Sequence, residues 1–423
     1  MTSPPGSCSP LQACLRALVL LGGLVLPRGG RAQELAYCDL SVTQQNTKLQ
    51  LNGATVVATG TRKGQGIVVT PELANQRSTV FHSVPIDFAP GESLYQHFRV
   101  RISGAATHAP PNGADGFAFM VQNDPGGDPL AEGKTGAGVT AVGRAGEGFG
   151  YAGITRSVAL ELDTFQNAAR LDPNGNHIAF DLGGHTYHTT TGAAGGATLA
   201  GQAEGSTVAT FQPVNLNVLT HSLESTTASF DTRDVWIDYV CAAGACSAKV
   251  YMTFNNALLA AQFADPAVPA SIPTKPATPI LTVNGLQDLT QYLGGASGYA
   301  GFSASTGGNM DQHLVTYWVL SKTPFSDSNT NHVEDLCDCR NIPGACSGHI
   351  PICDLTTPQG YCRDCQSNAE CAGKDPTKPV CDSLATGGTG ACVECTSSAN
   401  CGAAKPNCDT ATNTCTAQCT IDT

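Results

Sequence analysis

The sequence predicts an all-β protein, a sandwich or barrel in one large domain, followed by a small disulfide-rich tail. From residue 33 to about 322, short apolar runs are separated by Gly, Pro and Asn, and no helical period is visible. Residues 337–423 carry 14 cysteines, a density at which disulfides replace a hydrophobic core. Only 13% of all residues are charged, which favours strands and turns over surface helices.

Eight apolar runs are predicted to be strands of the large domain. They are residues 49–51, 55–57, 66–69, 97–102, 116–121, 235–240, 248–254 and 315–320. Cys241 and Cys246 flank four small residues between two of these runs. We therefore expect a disulfide that closes this hairpin.

Residues 1–32 are interpreted as a secretory signal peptide. Arg16 supplies a positive charge, residues 17–27 are apolar, and small residues precede a cleavage point near Ala32. An apolar run of about eleven residues is too short to span a bilayer, and no later segment is a candidate span. We therefore expect a protein that is secreted or lies at the cell surface, where cysteines form disulfides.

The predicted order is a signal peptide (1–32), a β domain (33–323), a polar linker (324–336) and cysteine-rich disulfide repeats (337–423). A Cys-x2-Cys-x5-Cys spacing occurs twice in the repeats, at Cys362, Cys365 and Cys371 and again at Cys392, Cys395 and Cys401. We favour disulfides over zinc sites, because the segment has a single histidine, His349, and the compartment is oxidising. Similar repeats occur in secreted proteins of predatory soil bacteria, so we expect a bacterial secreted protein whose tail acts as a spacer or anchor.

The net charge and the number of cysteines restrict which partners the chain can bind. The formal net charge is −12 without a basic cluster, which argues against nucleic acid, because binding phosphates needs a Lys/Arg face. Without Cys8 and Cys14 of the signal peptide, 17 of the 19 cysteines remain. An odd number leaves one thiol free or paired with another chain, so a homo-oligomer or an intermolecular disulfide stays open.

The run from Val158 to Asn167 carries the main indication of function. Period-two alternation places Glu161, Asp163, Phe165 and Asn167 on one face of a strand and the leucines on the other. Asp172 and His177 follow at regular spacings of five. Carboxylate and amide oxygens suit Ca²⁺, and a nearby imidazole suits a transition ion such as Mn²⁺.

We assign the six positions to two ions. Glu161, Asp163, Asp172 and His177 are candidates for the transition ion. Asp163, Asp172, Asn167 and the backbone carbonyl of Phe165 are candidates for calcium. The alternative is a solvated strand edge with a plain turn at 172–176, but six polar positions at this spacing favour metal.

This spacing, Glu-x-Asp-x-aromatic-x-Asn-x4-Asp-x4-His, resembles the metal site of the legume (L-type) lectins, the family of concanavalin A. Residues 113–119, 148–154 and 301–308 resemble three further landmarks of that family, in the same order. The resemblance covers residues 36–322. It implies a concanavalin A-like jelly-roll β-sandwich that binds glycans of the mannose/glucose or galactose type, with Ca²⁺ and Mn²⁺ and without catalysis.

The resemblance also implies a sugar site. Its members would be Asp115, Gly150, Phe165, Asn167, Gly308 and Asn309. Asp115 would accept from two hydroxyls, and the amides of Asn167 and Gly150 would each donate one hydrogen bond. In the family the peptide before the aspartate, here Ala114–Asp115, is cis and is held by the calcium shell. The Gly-rich insertion at 124–146 departs from the plant pattern, and we expect it to reshape the rim of the site.

Two alternative functions accompany this interpretation. A glycoside hydrolase of the same fold would need a second glutamate, but Phe165 and Gln166 occupy its positions. A structural or adhesive surface protein would have a degenerate lectin domain. Separately, His185 and His188 have two residues between them, and we interpret them as the polar face of a strand, not as metal ligands.

Overall fold

The structure is a computed structural model, and it describes part of the chain in sixteen segments. They are residues 34–38, 40, 48–53, 56–58, 66–104, 113–188, 214–215, 222–225, 232–242, 245–254, 273–328, 334–340, 346, 350–355, 360–383 and 390–417. Residues 33–343 with 355–361 form one compact unit, and residues 344–354 with 362–423 belong to another. The predicted signal peptide and its cleavage point lie outside the described residues.

The larger unit consists of short strands, as the apolar runs predict. The first half contains β1 (Leu35–Tyr37), β2 (Leu49–Gly53), β3 (Val56–Ala58), β4 (Gly66–Thr70), β5 (Arg77–His82), β6 (Ile86–Asp87), β7 (Leu94–Gly104), β8 (Gly116–Gln122) and β9 (Ser157–Asp163). The second half contains β10 (His177–Leu182), β11 (Val214–Asn215), β12 (Glu224–Ser225), β13 (Arg233–Ala242), β14 (Ala245–Met252), β15 (Leu281–Leu286), α1 (Leu289–Leu293), β16 (Ser297–Ser305) and β17 (Asp311–Ser321).

These strands form two large sheets. The nine-stranded sheet has the order β15-β14-β13-β7-β17-β4-β3, with β1 on β17 and β12 on β7. The eight-stranded sheet has the order β11-β10-β9-β8-β16-β5-β2, with β6 on β16. Among the described strands of these sheets, all pairs are antiparallel except β7 with β12. The fold is therefore an all-β jelly-roll sandwich, as predicted.

The hydrophobic core lies between the two sheets. An aromatic cluster occupies its middle, where the Phe302 ring is 5.3 Å from that of Phe98 and 5.0 Å from that of Trp318, measured between centroids. Leu160 and Leu162 of β9 join this core, and both are fully buried. Because side chains alternate along a strand, Glu161 and Asp163 project from the opposite face of the eight-stranded sheet.

The Gly-rich insertion covers that opposite face. Its Ala141 lies in a second buried cluster with Phe81, Met120 and Tyr151. A buried ion pair between Lys134 and Asp124 (2.6 Å) fixes the loop internally. The insertion therefore forms part of the wall around the candidate site.

The end of the predicted linker packs into the β domain. Glu334 is buried, with Oε1 2.5 Å from Nδ1 of His97, and it also accepts from the hydroxyl of Tyr317. A disulfide joins Cys337 to Cys38, 299 residues earlier. Polar composition alone suggested a linker here, because the sequence does not reveal a buried partner for a single glutamate.

Disulfides hold the tail together, as its composition predicts. Its elements are β18 (Ile352–Asp354), β19 (Tyr361–Arg363), α2 (Asn368–Lys374), β20 (Val380–Cys381), β21 (Cys392–Val393), β22 (Asn407–Asp409) and β23 (Thr414–Thr416). The bonds within the unit include Cys346–Cys362, Cys365–Cys381, Cys371–Cys392, Cys395–Cys408 and Cys401–Cys415. The last four bonds repeat one interleaved pattern, in line with the repeated cysteine spacing.

Every cysteine in the described ranges is disulfide-bonded. The hairpin between β13 and β14 is closed by Cys241–Cys246, as expected. Cys8, Cys14 and Cys419 lie outside the described ranges. If the signal peptide is removed, Cys419 is therefore the cysteine that makes the count odd.

Candidate functional site

The candidate site lies at one end of β9 and β10 in the eight-stranded sheet. Asp163 pairs with His177 in the register of these strands, and Glu161 pairs with Ala179. On the other side of β9, Gly116 of β8 pairs with Asp163. The loop after β9 then brings back Asp172. Residues far apart in sequence thus meet where three strands end.

The predicted transition-ion ligands converge in this structure. Nε2 of His177 lies 3.2 Å from Oε1 of Glu161 and 3.7 Å from Oδ2 of Asp163. Asp163, Asp172 and His177 offer ligand atoms within 4.8 Å of one another. Nδ1 of His177 lies 2.8 Å from the carbonyl oxygen of Asn174. A carbonyl only accepts, so Nδ1 carries a proton, and Nε2 is the ring nitrogen that faces the cluster as a ligand atom.

His188 joins the same cluster, which the sequence did not predict. Its Nε2 is 3.1 Å from Oε1 of Glu161 and 3.4 Å from Oδ1 of Asp172. The expected strand face is wrong, because β10 ends at Leu182 and the next two glycines both have positive φ, so the chain turns back. The Gly-Gly pair was the available sequence signal for this turn.

The predicted calcium ligands also lie together. The backbone amide of Asn167 donates to Oδ2 of Asp172 (2.5 Å), and that of Phe165 donates to Oδ1 of Asp163 (2.6 Å). Oδ2 of Asp163 and Oδ1 of Asn167 are buried and have no hydrogen-bond partner among the described residues. Oε2 of Glu161 is in the same condition. Buried oxygens without donors are costly, and a bound cation would satisfy them, so these residues fit a metal site.

The charges and the burial of these carboxylates also favour a metal site. Burial, together with the charges of Glu161 and Asp172, raises the pKa of Asp163 well above its ordinary value. Burial also raises the pKa of Asp172, and Glu161 adds to the effect. For Glu161 burial acts upward, but His188 and His177 outweigh it and lower the pKa. A divalent cation stabilises crowded carboxylates of this kind, because its charge offsets their mutual repulsion.

Asp115 lies directly beside the cluster. The Ala114–Asp115 peptide is cis, as the resemblance implied. The backbone of Asp115 donates to the Ser305 carbonyl and accepts from the Thr164 amide, both at 3.0 Å. Its Oδ2 is buried without a partner in the described structure. Burial, with the charges of Glu147 and Asp172, raises the pKa of Asp115 to about 7.

The loop between β16 and β17 lies over Asp115. A Cβ added to Gly307 would lie 2.9 Å from Oδ2 of Asp115, so the two groups are neighbours. Gly308 is exposed, with nothing within 4 Å of an added Cβ, and Asn309 is half-buried. Phe165 and Asn167, which follow β9, are also half-buried. The structure therefore brings Asp115 close to the loop that contains two of the other predicted sugar-site residues.

Gly150 is placed differently from the prediction. Its amide donates to the carbonyl of Arg144 (2.8 Å), and its Cα is enclosed by the carbonyls of Ser78 and Ala304. The residue is buried, so its N–H does not face a ligand. Gly146 lies nearer, since a Cβ added there would be 3.8 Å from Oδ2 of Asp115. A Gly-rich stretch gives no sequence signal to separate these two glycines.

A retaining glycoside hydrolase has specific requirements for its carboxyl groups. Such an enzyme needs a proton-donating carboxyl group of raised pKa beside a second carboxylate that flanks the bond. Glu161 is fully buried and its pKa is lowered, and Phe165 and Gln166 occupy the positions of a second acid. The second acid expected for a hydrolase of this fold is therefore absent at residues 165 and 166.

Comparison with known proteins gives matches over the β domain. Residues 33–335 match the family described as the legume lectin domain. The chain is 26% identical over 275 residues to the probable L-type lectin-domain containing receptor kinase S.7 of Arabidopsis thaliana, covering 62% of this chain and 31% of that protein. The L-type lectin-domain containing receptor kinase VIII.2 of the same plant is 26% identical over 262 residues, covering 61% and 29%. The chain thus spans about a third of the length of these relatives.

Solved structures of lectins are also similar. A lectin from Bauhinia forficata in complex with GalNAc has a TM-score of 0.43 and 15% identity, covering 69% of this chain and 97% of the lectin. Basic winged bean lectin with Tn-antigen has a TM-score of 0.44 and 18% identity, covering 69% and 98%.

The molecule is a jelly-roll β-sandwich with a cluster of carboxylates and imidazoles at one end of a sheet. Because the family match extends over most of its length, the chain belongs to the legume lectin domain family. This confirms the family predicted from the spacing of Glu161, Asp163, Asp172 and His177, and it supports carbohydrate binding.

Proposed function

We propose that this protein binds glycans through the surface around Asp115, in a manner that depends on two divalent ions and involves no catalysis. The observation that carries the proposal is the position of Asp115. Its buried Oδ2 lacks a partner in the described structure. This oxygen lies between the cluster of Glu161, Asp163, Asp172 and His177 and the loop that contains Gly307, residues 306–310, called the Gly307 loop below. An oxygen held in this way can accept hydrogen bonds from sugar hydroxyls.

The metals have a positioning role in this proposal. Glu161, Asp163, Asp172 and His177 would hold a transition ion such as Mn²⁺. Asp163, Asp172, Asn167 and the carbonyl of Phe165 would hold Ca²⁺. When bound, the ions supply positive charge that offsets the carboxylates, and they hold the loop after β9 in place. The chain's own residues then present Asp115 and the Asn167 amide to the ligand.

The sugar contacts follow from the chemistry of the neighbouring residues. Asp115 accepts from two hydroxyls, Asn167 donates one hydrogen bond, and the Phe165 ring covers the apolar face of the pyranose. Gly308 and Asn309 contribute from the loop above, and Gly146 replaces Gly150 as the glycine beside the ligand. Each hydrogen bond contributes about 1 kcal/mol net, so a single site should bind in the millimolar to micromolar range.

A glycan array tests this function directly. The protein is screened with Ca²⁺ and Mn²⁺, then with a chelator, and then as the variant Asp115→Ala. We expect binding to a set of mannose/glucose- or galactose-type glycans that both treatments abolish. Binding that survives chelator and substitution alike would refute the proposed site. Release of reducing sugar from a polysaccharide would refute the absence of catalysis.

The location and the tail extend the proposal. We infer that the protein is exported and acts outside the cell or at its surface, with the disulfide repeats as a spacer or anchor. The paired cysteines are consistent with this location. Among the described residues, no helix has the length and apolar character needed to span a membrane.

Oligomerisation through Cys419 is a separate proposal. Because every cysteine in the described ranges is paired, Cys419 is the remaining candidate for a free thiol or a bond between chains. Mass spectrometry of the secreted protein without reduction tests this idea. If every cysteine were paired within one monomer, the intermolecular bond would be refuted.

A further inference from the structure

We infer that His188 is a direct ligand of the transition ion, which makes this a two-histidine site that prefers nitrogen-seeking ions such as Co²⁺, Ni²⁺ or Zn²⁺ over Mn²⁺. The inference rests on the proposed function, since it concerns one of the two ion positions. The four ligands predicted from the sequence include one imidazole, whereas the structure supplies a second.

Three ligand atoms form a compact triangle. Nε2 of His188 is 3.1 Å from Nε2 of His177 and 3.1 Å from Oε1 of Glu161, and the third side, from His177 to Glu161, is 3.2 Å. Bonds of about 2.1 Å to one ion separate neighbouring ligand atoms by about 3.0 Å at right angles and about 3.4 Å at the tetrahedral angle. The observed triangle therefore matches three ligands around a single ion.

Hydrogen bonding by His188 alone explains the positions of these atoms less well than metal binding does. Nε2 of His188 has three acceptors within 3.4 Å: Nε2 of His177, Oε1 of Glu161 and Oδ1 of Asp172. One N–H satisfies only one of them, whereas a cation at the centre would be bound by all of these groups. The cluster is also buried, with Glu161 and His177 at 0% exposure and His188 at 4%, so these atoms are not exposed to bulk solvent.

The backbone brings His188 to this position independently of any ligand. Its amide donates to the carbonyl of Arg170 (2.9 Å), and the amide of Gly184 donates to the hydroxyl of Tyr151 (2.9 Å). The guanidinium of Arg170 also lies 4.4 Å from the centre of the Tyr187 ring. Contacts on both sides of the turn thus fix the ring of His188 over Glu161.

A second imidazole changes the preferred metal. Carboxylate and water ligands suit Mn²⁺, while imidazole suits Zn²⁺, Ni²⁺ and Cu²⁺, and affinity in a mixed site rises from Mn²⁺ through Co²⁺ to Cu²⁺. Each oxygen ligand that is replaced by a nitrogen ligand strengthens that trend in affinity. The wild-type protein is therefore expected to bind Co²⁺ more tightly than Mn²⁺.

The test measures metal binding without sugar. Metal-free protein is titrated with Co²⁺ and with Mn²⁺ against a competing chelator, as wild type and as the variants His188→Ala, His188→Asn and His185→Ala. His185 is the matched control, because it lies three residues earlier and does not belong to the triangle. Thermal melting of the metal-free proteins identifies any variant that fails to fold, and two substitutions at His188 protect the test against that outcome.

The expected result is selective. Loss of His188 should lower Co²⁺ affinity about tenfold or more, lower Mn²⁺ affinity less, and alter the visible absorption of bound Co²⁺, while the His185 variant matches wild type. Equal losses for both ions, or no loss, would overturn the inference, because His188 would then act only in packing or hydrogen bonding. Metal binding with this selectivity but without any glycan binding would instead refute the proposed function alone.

Discussion

The backbone amide of Asp311 donates to the carbonyl of Ala114 across 2.9 Å. This bond connects the start of β17, directly after the Gly307 loop, to the cis peptide that carries Asp115. On the other side of the loop, the amide of Asn75 donates to the carbonyl of Gly307 (3.0 Å). The proposed sugar acceptor and the loop above it are thus held by a shared framework, and changes in one should alter the other.

The first prediction concerns Gly307. In Gly307→Ala the new methyl group would lie 2.9 Å from Oδ2 of Asp115, closer than carbon and oxygen normally approach, so the carboxylate must move. We expect about tenfold weaker glycan affinity, equivalent to about 1.4 kcal/mol, with metal affinity unchanged. Gly402→Ala, in the disulfide-rich tail, is the control, because an added Cβ there contacts nothing and the residue is not part of the proposed sugar site. Calorimetric titrations showing equal effects of both substitutions would contradict the prediction.

The second prediction concerns metal removal and Asp163. With metal bound, Asp163→Asn should destabilise the protein, because a weaker ligand replaces a carboxylate shared by both ion positions. In the chelated protein the same change should be neutral or stabilising, since it removes repulsion with Glu161 and Asp172. Melting temperatures with Ca²⁺ and Mn²⁺ and with chelator check this reversal. A change of the same sign and size under both conditions would show that no ion binds there.

The third prediction concerns the pH dependence of stability. Asp311 and Glu224 meet at Gly113, where an added Cβ would be 2.1 Å from an oxygen of each. Burial, together with the charge of Glu224, raises the pKa of Asp311 to about 9. In the unfolded chain Asp311 loses its proton near pH 4, so folding takes up a proton between about pH 4 and pH 9. Stability from this group is therefore present at low pH and is lost as pH rises, by at most about 1.4 kcal/mol per pH unit.

Asp311→Asn removes that titration while keeping the shape of the side chain. We expect its urea unfolding free energy to change less between pH 5 and pH 9 than that of wild type, and to exceed wild type at the alkaline end. Asp311→Ala serves as the comparison, because it removes both the charge and the contact with the Thr164 hydroxyl (3.1 Å). Parallel pH profiles for wild type and the Asn variant would exclude a protonated Asp311.

The fourth prediction concerns the segment predicted as a linker. Removing Glu334 by substitution with Ala should cost about 3 kcal/mol, because it leaves the buried His97 without one of its two acidic partners. A double-mutant cycle with His97→Ala should give a coupling energy of more than about 1 kcal/mol. Additive effects in urea unfolding would mean that residue 334 belongs to a linker after all.

The core of the candidate metal site follows from the sequence because it depends on local periodicity, whereas the family was predicted from the resemblance of the residue spacing. Alternation along β9 is enough to put Glu161 and Asp163 on one face and Leu160 and Leu162 on the other. His177 follows as the residue that pairs with Asp163 when the chain returns in β10. These positions need only a strand, a turn and a neighbouring strand.

The residues that the sequence did not predict depend on longer-range packing. His188 enters the cluster because the chain reverses after Leu182 and is bonded to Arg170, neither of which appears in the period of a strand. Gly150 and Gly146 look equivalent in a Gly-rich stretch, and only the enclosure of Gly150 by two other strands separates them. The buried Glu334 contacts His97, 237 positions away in sequence, as well as Tyr317.

The bond between Cys38 and Cys337 closes nearly the whole β domain into a covalent ring. A protease that cuts once within the ring, for instance in a loop between strands, opens it without releasing a fragment. The nicked molecule keeps its mass on a gel run without reductant and separates into two pieces only when reduced. Outside the cell, where enzymes attack exposed loops, the domain can therefore be damaged once and still keep its tail attached.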